Sequence, residues 1–142
     1  MIYFGHGKAV VDANNTVVGS ILAPGENQGA NTNVSVDNVQ LLQPAAKLMS
    51  AKPTVTLNAC HAGLGAANQS NSIAQLIANQ LGVKVLAPVG GVYFTTNPSA
   101  TYGSGKEVPA QFQITDQPPV YMIQEFGNPL TRFCPAGTGG CQ

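Results

Sequence analysis

Residues 54 to 89 constrain this chain more than any other stretch. "TVTLNA" (54–59) reads as a strand. "SNSIAQLIANQLG" (70–82) reads as a helix: Ser70 or Asn71 can cap its start and Gly82 can end it. Ile73, Leu76, Ile77 and Leu81 fall on one stripe, the spacing of a helix packed against a sheet. "VKVLAPV" (83–89) is the next strand, with Val83, Val85 and Ala87 on one face and a largely apolar opposite side. A helix between two apolar strands argues for a parallel sheet covered by helices.

The flanking sequence extends that unit. "IYFG" (2–5) is a short apolar run ending at Gly5 and reads as a buried strand. "AVVDANNTVVGSIL" (9–22) places two β-branched arms around "DANN", which predicts a hairpin with Asp and Asn in the turn. "APGENQGANTN" (23–33) reads as a polar loop long enough to form a flap. Residues 37 to 51 allow two readings. Asp37 can cap a helix through Met49, but Pro44 inside that pattern would cost about 3 kcal/mol. A turn up to Gln43 followed by a helix with Pro44 in its first turn avoids this. Beyond residue 90, "GGVYFTTNPSATYGSGKEVP" reads as loop. "AQFQIT" and "VYMIQEF" are candidate strands, and "NPLTRFCPAGTGGCQ" has no periodicity.

Composition excludes several functions. The 142 residues fit one domain with a real core, taken here as 1–142 with a core over 2–94 and a loop-rich segment over 95–142. The opening on an apolar strand suggests a domain excised from a longer protein. Net charge is zero and only 8% of residues are charged, against roughly 25% in an ordinary soluble domain. Without a basic cluster there is no nucleic-acid footprint. No apolar run reaches the ~20 residues of a membrane span. Polarity carried by Asn, Gln, Ser and Thr is common in exported bacterial proteins.

Three cysteines leave one over. Cys134 and Cys141 bracket a Gly-rich loop and can form a local disulfide or remain two free thiols. Two ligands make no zinc site, and no metal or cofactor is expected. Cys60 is then the residue to explain, because an odd cysteine is a candidate reactive thiol.

Only two histidines exist, His6 and His61. His6 follows the first strand and Cys60 follows the strand over 54–59. Ligands bind beyond the carboxyl ends of strands in open α/β sheets. If these two strands are parallel neighbours, His6 and Cys60 meet at one edge as a base and a nucleophile. Gly5 and Gly7 flank His6 and let the backbone approach a ligand closely. The Gly7 and Cys60 N–H groups are then candidate oxyanion donors, worth about 3 kcal/mol or more to an acyl-transfer transition state. His61 is expected to turn away, because adjacent side chains in an extended segment point to opposite faces.

"FGHG" (4–7) followed by "LNACHAG" (57–63) resembles clan CD cysteine peptidases, where one strand ends in His-Gly and a later one in Ala-Cys. That clan includes caspases, clostripain, gingipain and the self-cleaving protease domains of large bacterial toxins. "SIAQLIANQLGVKVLAP" (72–88) is similar to C-terminal domains of Rhs-type and other polymorphic toxins. The resemblance covers roughly residues 2–94. It implies an α/β domain with a caspase-like, mainly parallel sheet flanked by helices, with a β-hairpin insertion and a loop-rich C-terminal segment. It implies His6 and Cys60 as a catalytic dyad, with Gly7 and Cys60 amides as the oxyanion hole. "GGVYFTT" is expected to line the cleft, with Tyr93 and Gly91 as substrate-binding residues. The implied protein is a peptidase acting on a protein or peptide, secreted as a bacterial effector into a target cell and met there by an immunity protein. Two rivals stand beside it: a Cys–His deamidase or acyltransferase, and an inactive binding module recognised by an immunity protein.

Overall fold

The computed structural model describes residues 1–23, 33–49, 53–66, 69–97, 99, 107–112, 120–125 and 130–141. The loop expected over 23–33 lies, from residue 24 to 32, outside the described residues. Nine strands and two α-helices occur among those described. The chain is mixed α/β, and its largest sheet is mainly parallel.

That sheet has the order β1-β4-β5-β9, built from Ile2–Phe4, Thr54–Asn58, Lys84–Ala87 and Thr131–Phe133. β1 pairs in parallel with β4, with Phe4 opposite Asn58. β4 pairs in parallel with β5, with Val55 opposite Val85. β9 closes the sheet antiparallel to β5, with Phe133 opposite Val85. The parallel adjacency of the strands before His6 and Cys60 is therefore present.

α2 (Ile73–Leu81) crosses between β4 and β5. Its cap is Ser72, whose Oγ accepts the Gln75 N–H at 3.2 Å; neither Ser70 nor Asn71 takes that role. Gly82 ends it in the left-handed region at φ 67°, where a side chain would be strained. Ile73, Ile77 and Leu81 are buried as the stripe predicts, and Ala74 and Ala78 fill the gaps beside them. They pack on Val55, Leu57, Val83, Val85 and Ala87, the alternate positions of β4 and the β5 segment that face one side of the sheet. Burying side chains of this size stabilises the fold by about 1.5–3 kcal/mol each. Before β4, Val39–Leu42 form a 3₁₀ turn and Gln43–Ala46 form α1, with Pro44 in its first turn. A continuous helix capped by Asp37 does not form.

The hairpin joins β2 (His6–Val11) to β3 (Val17–Ala23). Asp12 Oδ1 accepts the Asn14 and Thr16 N–H groups at 2.8 and 2.9 Å, and Asn15 sits at φ 64°. This is the turn chemistry that "DANN" predicts. The hairpin starts earlier than expected, so His6 opens a strand rather than lying in a loop.

The C-terminal segment departs most from expectation. The stretch read as loop contains β6 (Val92–Thr95) and the start of β7 (Glu107–Phe112). β8 (Val120–Gln124) lies between them in an antiparallel sheet of order β6-β8-β7. The aperiodic tail supplies β9. Pairing with distant strands, rather than local pattern, makes these residues extended. Of the two strands expected in 95–142, "VYMIQEF" holds β8 and "AQFQIT" overlaps β7, its residues 113–115 lying outside the described residues.

Candidate active site

The site sits at the carboxyl end of β4. Past Asn58 the chain turns tightly: the Ala62 N–H donates to the Ala59 carbonyl at 3.3 Å and the Leu64 N–H to His61 O at 2.8 Å. His61 adopts φ 57°, a conformation that costs a non-glycine residue about 1–2 kcal/mol. Its N–H donates to the Gly90 carbonyl at 2.8 Å, which offsets part of that cost. The ring is half-buried and places Nδ1 3.3 Å from the Val89 carbonyl. His61 is therefore anchored to the segment that follows Ala87. It turns from the strand direction because it is no longer extended, so the alternation rule that predicts its orientation does not apply.

The turn is propped from three sides. Ser20, buried in β3, donates through Oγ to the Ala62 carbonyl at 3.2 Å and accepts the Ile73 N–H at 2.9 Å. It thereby ties the hairpin, the turn and the start of α2 together. The Ala74 N–H also donates to Ala62 O at 3.0 Å. On the third side Phe133 of β9 lies so close to Gly63 that a Cβ there would fall 2.7 Å from its ring. Nothing local in the sequence marks Ser20 or Phe133 for this role.

Gly7 meets Cys60 directly. A Cβ built on Gly7 would stand 2.0 Å from the Cys60 carbonyl oxygen and 3.3 Å from Ala59 Cβ. Only glycine fits this approach. The His-Gly element and the cysteine element are brought together, as parallel pairing of β1 and β4 predicts. Among the described residues no backbone oxygen accepts the Cys60 N–H, which leaves that donor available to an oxyanion.

The side chains are less tightly coupled than the backbones. His6 is exposed, and among the described residues it makes no hydrogen bond to Cys60. The Cys60 thiol is half-buried and engages Val92 instead. Sγ donates to the Val92 carbonyl at 3.2 Å, and the Val92 N–H donates to Sγ at 3.3 Å. Hydrogen bonds of a catalytic pair are often long in the free enzyme and tighten with substrate bound.

The expected substrate-lining residues divide. Tyr93 is exposed on β6, one residue from the thiol's partner Val92. Gly91 is buried, and its N–H donates to the Glu125 carboxylate at 2.8 Å. That amide is therefore already paired within the protein. Asn58, two residues before Cys60, is fully buried, and among the described residues neither its amide oxygen nor its nitrogen meets a partner. Such a group is uncommon in folded proteins and calls for a reason. Tyr3 on β1 also buries a hydroxyl that finds no partner among the described residues, and burial raises its pKa above the ordinary tyrosine value.

Other features lie elsewhere. Cys134 and Cys141 form a disulfide with Cα atoms 5.4 Å apart, which leaves Cys60 as the free cysteine. The side chain of Gln75 donates to the Cys134 carbonyl at 2.6 Å, and the Ala136 N–H donates to Asn79 Oδ1 at 2.8 Å, so α2 grips the disulfide loop. A cavity of about 400 Å³ lined by Pro53, Gly82, Lys84 and Cys141 opens at the amino ends of β4 and β5. That is the opposite end of the sheet from Cys60. Among the described residues, no three His, Cys, Asp or Glu side chains gather as metal ligands, and no helix is long and apolar enough to cross a membrane.

A family model described as "Domain of unknown function (DUF8616)" matches residues 4–102. The matched stretch contains His6, Gly7, Cys60 and the whole of β6. No curated protein and no solved structure matches the chain.

Proposed function

The chain belongs to the DUF8616 family of domains of unknown function, and we propose that it is a cysteine peptidase of caspase-like architecture that works as a bacterial effector module. The observation that carries this reading is the contact between Gly7 and Cys60, where glycine alone fits. It supports a nucleophile element and a histidine element meeting at the carboxyl end of parallel strands, where α/β enzymes bind substrates.

In this mechanism the Cys60 sulfur attacks a peptide carbonyl, and His6 takes the thiol proton. The oxygen of the tetrahedral intermediate is held by the Cys60 and Gly7 N–H groups. His6 returns the proton to the leaving amine. Water then attacks the thioester at the same carbon, its proton passing through His6, and the acid leaves with the thiol restored. His6 is exposed and Cys60 half-buried, and in this mechanism the imidazole closes on the sulfur when substrate binds.

A second reading has its own observation. The thiol already has a donor and an acceptor in Val92, as it would in an inactive binding module. One experiment separates the two. The chain is incubated with a peptide library and then with a peptide-derived electrophile, and products are read by mass spectrometry. Cleaved peptides together with an adduct on Cys60 support the peptidase. Deamidated or acylated peptides without cleavage support amide chemistry of another kind. No product and no adduct supports the binding module and refutes the enzyme.

A further inference from the structure

The turn that carries Cys60 is laced to the segment after β5. The Gly63 N–H donates to the Pro88 carbonyl and the His61 N–H to Gly90 O, each at 2.8 Å. Together with the contact between His61 Nδ1 and Val89 O, these pin residues 88–90. Two residues further on, Val92 closes on the sulfur with both its carbonyl and its N–H. A thiolate has no proton to give that carbonyl. The nucleophilic form of Cys60 therefore loses one of the two bonds, and oxygen lone pairs face the sulfur in its place.

Glu125 holds Val92 in this position. β6 runs antiparallel to β8 with Val92 opposite Gln124. One step beyond, the Glu125 N–H donates to the Gly91 carbonyl at 3.0 Å, as a ladder pair would. The Gly91 N–H donates at 2.8 Å to the Glu125 side-chain carboxylate, not to its backbone. A hydrogen bond to an ionised acceptor is roughly twice as strong as a neutral one. Gly91 alone separates the pinned residues 88–90 from Val92, and a glycine takes up backbone rotation that other residues resist.

We propose that Glu125 is a positioning residue that latches the Gly91–Val92 backbone over the Cys60 thiol, and that this latch opens before the nucleophile attacks. The inference rests on the reading of Cys60 as a nucleophile. The carboxylate lies outside the stretch matched to the family model. Opening frees the sulfur from the Val92 carbonyl while residues 88–90 stay fixed to the turn, which leaves the nucleophile's position intact.

The latch can be read without any peptide being cut. Iodoacetamide alkylates Cys60: an S–C bond forms, the C–I bond breaks, iodide leaves and the thiol proton passes to solvent. With Cys134 and Cys141 bonded to each other, Cys60 is the free cysteine, and intact mass follows its adduct. Glu125→Ala is expected to raise the alkylation rate about thirtyfold, the equivalent of one lost hydrogen bond to a charged acceptor of about 2 kcal/mol. Glu125→Gln keeps a neutral side-chain oxygen for the Gly91 N–H and is expected to fall between Glu125→Ala and the parent, about fivefold faster than the parent, since a neutral acceptor retains about half of the bond. Equal rates for Glu125→Ala and the parent overturn the latch.

If Glu125→Ala does not fold, amide exchange of Glu125→Gln decides. The Gly91 and Val92 amides should exchange faster together while the His61 amide stays protected. Unchanged protection at Gly91 and Val92 overturns the proposal. Faster alkylation in a protein that cuts no peptide leaves the latch standing and removes the peptidase. Peptide cleavage with unchanged alkylation does the reverse.

Discussion

Gly7→Ala is the smallest change that should disable the site. The added Cβ would lie 2.0 Å from the Cys60 carbonyl oxygen, whereas real Cβ contacts essentially never fall below 3.0 Å. The two backbones must separate by about 1 Å, and further for an ordinary contact. Neither yields easily. Gly7 is held in β2 by its pairing with β3, opposite Leu22. The Cys60 turn is held by Ser20, by the N-terminus of α2 and by residues 88–92. Forcing one methyl group into such a contact costs about 1–3 kcal/mol. At about 4 °C per kcal/mol for a chain of this size, the midpoint of a thermal melt falls by about 4–12 °C. A 1 Å displacement of a catalytic group costs about 10²-fold in rate, so kcat/KM on a cleaved peptide should fall by about that factor. Gly5→Ala is the matched control. Its Cβ would meet only the hydroxyl end of the Tyr3 ring, at 2.3 Å, and that side chain can swing aside. It should melt closer to the parent and keep most of its turnover. The reasoning is refuted if Gly7→Ala melts and turns over like the parent, or if Gly5→Ala is the more damaging of the two.

Two further outcomes follow from the geometry. Replacing Cys134 and Cys141 by Ser together opens a loop of about eight residues and should destabilise the fold by about 2.5 kcal/mol, read by denaturant titration. Because β9 carries Phe133 under Gly63, the same variant should also lose turnover at temperatures where it remains folded; unchanged turnover there would separate β9 from the site. Tyr3→Phe removes a buried hydroxyl that finds no partner among the described residues and should stabilise the fold by about 1 kcal/mol. Burial raises the Tyr3 pKa, so its neutral form is favoured in the folded state. That contribution is present below the unfolded value near 10 and is lost as pH rises above it. Stability of the parent should therefore drop faster than that of Tyr3→Phe in melts run above about pH 10, and parallel curves would contradict this assignment.

What the sequence made legible is the part built from local pattern. α2 carries its own cap, stripe and terminal glycine. The hairpin carries its own turn. The parallel pairing of β1 with β4, and with it the approach of Gly7 to Cys60, follows from two strands ending in small residues around a crossover helix. What stayed hidden depends on distant partners. β9 is three residues long and becomes a strand only against β5. β6 follows two glycines and reads as loop until β8 supplies its ladder. Glu125 is a single acid between Gln124 and Phe126 with no motif around it, yet it reaches Gly91, 34 positions away. Alternation does not decide where the His61 ring points, because it holds for extended chain and at φ 57° the chain has already turned.

The most direct test compares His6→Ala and Cys60→Ala with the parent in one peptide-cleavage assay, with circular dichroism confirming the fold of each. His6 is exposed and Cys60 half-buried at a turn end, so neither truncation removes core packing. Loss of cleavage in both variants, with melts close to the parent, is the expected result. Full cleavage by either folded variant would contradict the Cys60–His6 mechanism.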